Sequence, residues 1–209
     1  MMKKYTFLVL FFVAFASAQT YEFDRKCTYE PVRLKNNFAE MIWLFNSKST
    51  DFTGRLYSYN GKTNDIFILQ DYKNLLKYSF EVNKKGQFSN VRFTNITADY
   101  AEFEVNRITV LGESENKFKI EVFSDEKTKK PNLKIFVTVE KSDFILPKIR
   151  FMDVSQSIHD QIYDALLEKL DSNLYKIKAI KYTYKNGLTL EQKLLSCETV
   201  ELNFSVQGK

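Results

Sequence analysis

Along most of this chain, apolar and polar residues alternate one by one. Leu76, Tyr78, Phe80 and Val82 alternate with Lys77, Ser79 and Glu81, and Phe118, Ile120 and Val122 with Lys119 and Glu121. Leu133, Ile135, Val137 and Val139 run against Lys134 and Thr138, and Val200, Leu202, Phe204 and Val206 against Glu201, Asn203 and Ser205. A period of two means strands with one buried face and one wet face. That pattern belongs to antiparallel sheets, because parallel strands covered on both faces lose it. Met41 to Phe45 and Ile66 to Leu69 are apolar on both faces, which predicts central strands covered on both sides.

The alternation slips phase twice. Ala101, Phe103 and Val105 are odd-numbered while Ile108 and Val110 are even-numbered, so a bulge or tight turn near Asn106 absorbs a residue. The same slip separates Ile177 and Ala179 from Ile180, Tyr182 and Tyr184. Bulges of this kind curve a sheet. Asn60-Gly61 and Asn186-Gly187 predict hairpins, since both turn residues tolerate positive φ. Lys85-Gly86 marks a further turn.

One segment changes period. From Ser155 to Leu170 the apolar residues Ile158, Ile162, Ala165, Leu166 and Leu170 fall on one side at helical spacing, with Asp160, Gln161, Asp164 and Glu168 on the other. Asp153 or Ser155 caps its start. The acidic wet face is the wrong charge for anchoring on anionic lipid. Packing against the sheet is the expected role.

The first eighteen residues stand apart from this pattern. Lys3 and Lys4 precede the apolar run Phe7 to Phe15, and Ala16-Ser17-Ala18 offers small residues for cleavage. These are the parts of a secretory signal peptide, and the run is shorter than the roughly 20 apolar residues a spanning helix needs. The expected organisation is therefore a signal peptide over 1–18 and a single β-rich domain over 19–209, exported to the periplasm or the medium. No second apolar stretch of membrane length follows. In an oxidising compartment the only cysteines, Cys27 and Cys197, are expected to pair, tying the start of the domain to its second-last strand.

The net charge is +5, and loss of Lys3 and Lys4 with the leader leaves about +3. Lys alternates with Glu and Asp rather than forming the basic stripe of a nucleic-acid binder. The densest basic stretch, Lys176, Lys178, Lys181 and Lys185, reads as a solvated edge strand protected by lysine.

The residue inventory narrows the chemistry. With one histidine and two distant cysteines, a zinc site rich in His or Cys cannot be assembled. There is no His-Glu-x-x-His, Walker loop, Gly-x-Gly-x-x-Gly or Gly-x-Ser-x-Gly. No catalytic, cofactor-binding or metal-binding residue is assigned. His159 lies beside the apolar helical stripe, one turn before Tyr163, as a histidine held against the core does. Glu102 with Glu104, and Glu198 with Glu201, are the carboxylate pairs a glycosidase could use, although nearly every strand here carries Lys or Glu on its wet face. Aromatics make up 15% of the chain, and aromatic strand faces can stack sugars or line an apolar pocket. Most read as core and as good strand formers. Tyr57 and Tyr59 alternate with Leu56 and Ser58, which makes them the candidate ligand contacts. Asn95-Ile-Thr97 and Asn203-Phe-Ser205 match the glycosylation sequon.

The leader from Met1-Met-Lys-Lys to Ala18-Gln19, with a low-glycine body rich in Lys, Asn, Phe and Tyr, is similar to those of exported proteins of flavobacterial Bacteroidota. The stretch from Leu44-Phe-Asn-Ser to Asp71-Tyr-Lys-Asn resembles segments of their uncharacterised exported proteins. The resemblance implies location and lineage, with no activity and no functional residue to carry over. A comparison with lipocalins breaks down at Met41-Ile42-Trp43, which lacks the glycine of their Gly-x-Trp motif, and at the two strands that follow the helix.

The expected fold is mainly β: an antiparallel curved sheet, as a sandwich or partial barrel, with one amphipathic helix over 155–170 packed on it. The expected function is non-catalytic binding of an apolar ligand, a glycan or an envelope partner, with no cofactor, no nucleic acid and no membrane span. The alternatives are a carboxylate-based hydrolase of an extracellular polymer and an envelope structural or assembly factor.

Overall fold

The computed structural model describes residues 19–34, 37–59, 64–96, 104–148 and 155–206, the side chains of 32–39, 59 and 90 excepted. The leader over 1–18, Asn60-Gly61, Thr97, Ala101, Glu102, Phe103, Asp153 and the side chain of Tyr59 lie outside the described residues. In chain order the elements are β1 (Gln19–Leu34), β2 (Asn37–Asn46), β3 (Ser49–Tyr59), β4 (Asp65–Asp71), β5 (Leu76–Val82) and β6 (Phe88–Asn95). They continue with β7 (Arg107–Ser114), β8 (Lys117–Phe123), β9 (Leu133–Lys141), α1 (Gln156–Leu167), β10 (Tyr175–Tyr184) and β11 (Thr189–Val206).

Among the described residues, eleven strands form one open, curved sheet in the order β6-β5-β4-β3-β2-β1-β11-β10-β9-β8-β7. Neighbouring strands are antiparallel throughout. Strands β1 to β6 make one meander and β7 to β11 another. The first and last strands pair at the centre and join the two, from Gln19 opposite Val206 to Tyr29 opposite Leu194.

The phase slip at Ile177 is a bulge. Ile177 faces Val139 while Ala179 faces Thr138, so Lys178 is the extra residue. Gly187 and Gly86 take φ of +87° and +77°, as their turns require. Asn106 donates its backbone N–H to Phe123 just before β7 begins, so the slip there falls in the approach to the strand.

Three expectations are corrected. Strand β10 lies between β9 and β11 and is not an edge. Its lysines mark a wet face, where Lys176 and Lys178 both bind Glu140. Cys197 lies on the last strand, because 189–206 is one continuous strand interrupted only by register shifts. The helix stops at Leu167, and Lys169 and Leu170 close tight turns onto Leu166 and Leu167 instead of continuing it.

The buried side chains form two clusters. One lies between α1 and the sheet and contains Trp43, Phe45, Ile120, Leu133, Ile135 and Ile177, with Ile158, Ile162 and Leu166 of the helix. The other gathers Tyr21, Phe23, Phe67, Leu69, Phe80, Val82 and Val206. Strand β1 supplies both clusters, and the register shift between Phe23 and Arg25 separates its two contributions. In the second cluster the rings of Phe67 and Phe80 each lie 5.1 Å from Phe204. Gly54 stands opposite Leu44 and Leu69, and the Phe67 ring occupies the space a side chain there would need.

A buried carboxylate pins the start of β1 to the turn after β4. Asp71 accepts from Gln19 Nε2 at 2.6 Å, Tyr21 Oη at 2.9 Å, and the backbone and side-chain nitrogens of Asn74 at 2.9 and 2.8 Å. Three of these donors converge on Oδ2 and one on Oδ1, and hydrogen bonds of this kind offset the cost of burying such a group. Burial and then the Asp71 carboxylate hold the Tyr21 phenol well above its ordinary range.

Candidate functional site

The helix meets the sheet across a cleft, and three local features set its position. Ser155 caps α1 by accepting from the Ile158 N–H at 3.4 Å. The segment Phe144–Lys148 crosses beside the helix, tied by Ile145 N–H to Ser47 O (3.1 Å) and by Leu146 N–H to Asn173 O (2.8 Å). Tyr163 of α1 then donates its hydroxyl to Leu146 O at 2.7 Å, fixing the helix to that segment.

The floor of the cleft is aliphatic: Ile120, Ile135 and Val137 from β8 and β9, and Ile177 and Ile180 from β10, under Ile162 and Leu166 of the helix. Its empty volume, counting the solvent-filled mouth, is about 540 Å³. The part that the centres of water-sized molecules can reach is about 40 Å³. A water needs roughly 10–15 Å³ on that measure, so the cleft as it stands has room for a few waters.

The rim is polar and carries both signs of charge. Lys148 Nζ pairs with Asp160 Oδ1 at 3.0 Å and lies 5.9 and 5.6 Å from the ring centres of Tyr72 and Tyr163. Tyr72 donates its single hydroxyl proton to Lys148 O at 3.0 Å, so in its 3.0 Å contact with Thr53 the threonine is the donor. Burial pushes the Tyr163 phenol up to about 12, keeping it a neutral donor throughout the physiological range. His159 is buried on the same side of the helix.

Gln156, the first residue of α1, is only 7% exposed. Its Nε2 donates to Asp160 Oδ1 at 2.9 Å, while its Oε1 is buried with no hydrogen-bond partner among the described residues. Turning the amide over would set Oε1 against a carboxylate oxygen, so Asp160 fixes which end is left over.

Cys27 and Cys197 are joined in a disulfide within the first cluster and do not line the cleft. Tyr57 is half-buried beneath the Arg55 guanidinium, 4.9 Å from its ring centre, and is also outside the cleft. Glu198 is bound by Lys26 at 2.8 Å, and the β11 register shift separates it from Glu201. Glu104 is exposed and does not line the cleft. Lys148 and Tyr72 had no sequence signal of their own, and Asp160 read only as part of the wet helix face. Gln156, His159 and Tyr163, however, form a half-polar stripe flanking the apolar one at helical spacing.

No family model matches the chain, and no curated protein matches it in sequence. No helix among the described residues is long and apolar enough to cross a membrane.

Proposed function

We propose that this chain is an exported, non-catalytic binding protein that takes the end of an apolar chain into the cleft between α1 and the sheet. The observation that carries this reading is the composition of the cleft, an aliphatic floor beneath a few convergent polar groups. Small-molecule sites have this make-up: apolar walls supply affinity and sparse polar groups set orientation. The leader pattern and the Cys27–Cys197 bond agree with work in an oxidising compartment. The hydrolase reading draws less support, since among the described residues Asp160 is the one carboxylate that lines the cleft, and Lys148 already binds it. Acid–base cleavage of a glycosidic bond uses two.

The test is titration of the purified chain with 1-octanol, followed through the isoleucine methyl resonances. Saturable shifts at Ile120, Ile135 and Ile177 are expected. Shifts confined to other isoleucines, or none at the solubility limit of the alcohol, would reject the cleft as the site.

A further inference from the structure

We infer that the β5–β6 hairpin is a docking surface for an anionic lipid bilayer, which it meets at the level of the head groups without crossing. The inference goes beyond the cleft and does not depend on it. Its basis is an exposed apolar row set among cations at one end of the sheet. Phe88, Val91 and Phe93 of β6 are 47%, 57% and 51% exposed. The hairpin, residues 76–95, holds four cations, Lys77, Lys84, Lys85 and Arg92, against one anion, Glu81.

The register sets how these side chains are presented. Phe88 stands opposite Val82 and Phe93 opposite Tyr78, so both rings share the face of the second cluster. Phe93 packs on Tyr78 at 5.4 Å and Phe88 on Phe80 at 5.7 Å, which holds the exposed rings from behind. Arg92 stands opposite Ser79 and takes the other face, while Lys84 and Lys85 are exposed at the turn. Lys84 is paired with Asp65 at 3.0 Å, and Lys85 and Arg92 make no ion pair among the described residues. Exposed apolar side chains ringed by cations suit the boundary of an anionic bilayer, where the former reach the acyl chains and the latter meet phosphates. A strand from a second copy is the poorer occupant. Between Ser79 and Glu81 the ladder shifts, leaving Asn90 and Val91 together opposite Phe80, and a bulge of this kind spoils an edge as a template for pairing. The cations of one copy would also meet those of the other. Contact with lipid needs no ladder, and at head-group depth water still satisfies the open backbone groups of β6.

The experiment is co-sedimentation with large vesicles of phosphatidylcholine alone and of equal parts phosphatidylglycerol and phosphatidylcholine. It uses the chain beginning at Gln19, which holds every described element and leaves out the apolar leader. Binding to the mixed vesicles is expected to be about ten-fold or more tighter than to phosphatidylcholine alone. Lys85→Glu and, separately, Val91→Ser/Phe93→Ser are each expected to weaken it about ten-fold. Leu188→Ser, at a position 53% exposed in the β10–β11 turn, is expected to leave it unchanged. Equal binding to both vesicles would overturn the choice of an anionic surface, and binding to neither would overturn the inference whole. An equal loss in Leu188→Ser would overturn the role of this hairpin. Self-association of the wild type that Val91→Ser/Phe93→Ser abolishes, without vesicle binding, would assign the surface to a second copy instead. Should the double variant not fold, Lys85→Glu, in an exposed turn, decides alone.

Discussion

Cys27 and Cys197 face each other directly in the β1–β11 ladder, and their disulfide spans the strand pairing that joins the two meanders. The bond closes a loop with a sequence separation of 170 residues. Removing a native disulfide typically costs about 2–5 kcal/mol, and long loops lie toward the upper end in the chain-entropy account. The double variant Cys27→Ala/Cys197→Ala is expected to lose stability in that range while keeping its β-sheet circular dichroism. Equilibrium urea unfolding measures the loss. A midpoint equal to that of the wild type would mean that the ladder alone holds the halves together.

Gly54 predicts a different kind of defect. A Cβ there would lie 2.9 Å from Phe67 Cε2 and 3.2 Å from Leu44 Cβ. The Phe67 ring is only 3% exposed and packs against Phe80 and Phe204, so it cannot swing aside freely. Gly54→Ala is expected to destabilise by about 1–3 kcal/mol through overpacking, with a lowered urea midpoint and shifted resonances confined to the second cluster. A neutral or stabilising effect would show that the cluster has slack.

Glu140 sets a pH dependence. Hydrogen bonds from Lys176 and then Lys178, each at 2.9 Å, hold its carboxyl at about 2 against an ordinary 4.5. The folded state therefore binds its proton less readily than the unfolded chain does. The stabilisation is fully present above the unfolded value and fades as pH falls from 4.5 toward 2. The side chain is 43% exposed, so solvent screening limits the effect to about 1 kcal/mol or less. Glu140→Gln is expected to be slightly less stable than wild type at pH 7, with the gap closing on acidification through that window. A gap that stays constant with pH would assign the loss to packing instead of charge.

The sheet was legible because its signal is local. The alternation in Leu76–Val82 and Leu133–Lys141 is enough to name a strand and its buried face, and a parity change at Ile177 is enough to locate a bulge. Interior position was not legible for β10, since lysines on a wet face look the same whether a strand has one neighbour or two. The helix end was overshot because Leu170 keeps helical spacing while its backbone turns more tightly. The cleft depends on Tyr72, Lys148, Gln156 and Ile177 meeting across more than a hundred residues of chain, and no periodicity in one segment reports on another. Tyr57 was singled out by alternation, which identifies a face of a strand without saying what covers it. Here that cover includes Arg55.

The placing of β1 beside β11 also sets an order in time. As the chain emerges from its amino end, β2 can join β1 at once, but the other side of β1 must wait for the last strand. Until then Cys27 remains a thiol and one flank of β1 offers unsatisfied backbone groups, the kind of edge that pairs with a stranger. Contacts of such long range form slowly. The half-made molecule therefore carries an open flank on β1 until β11 has been made and paired with it.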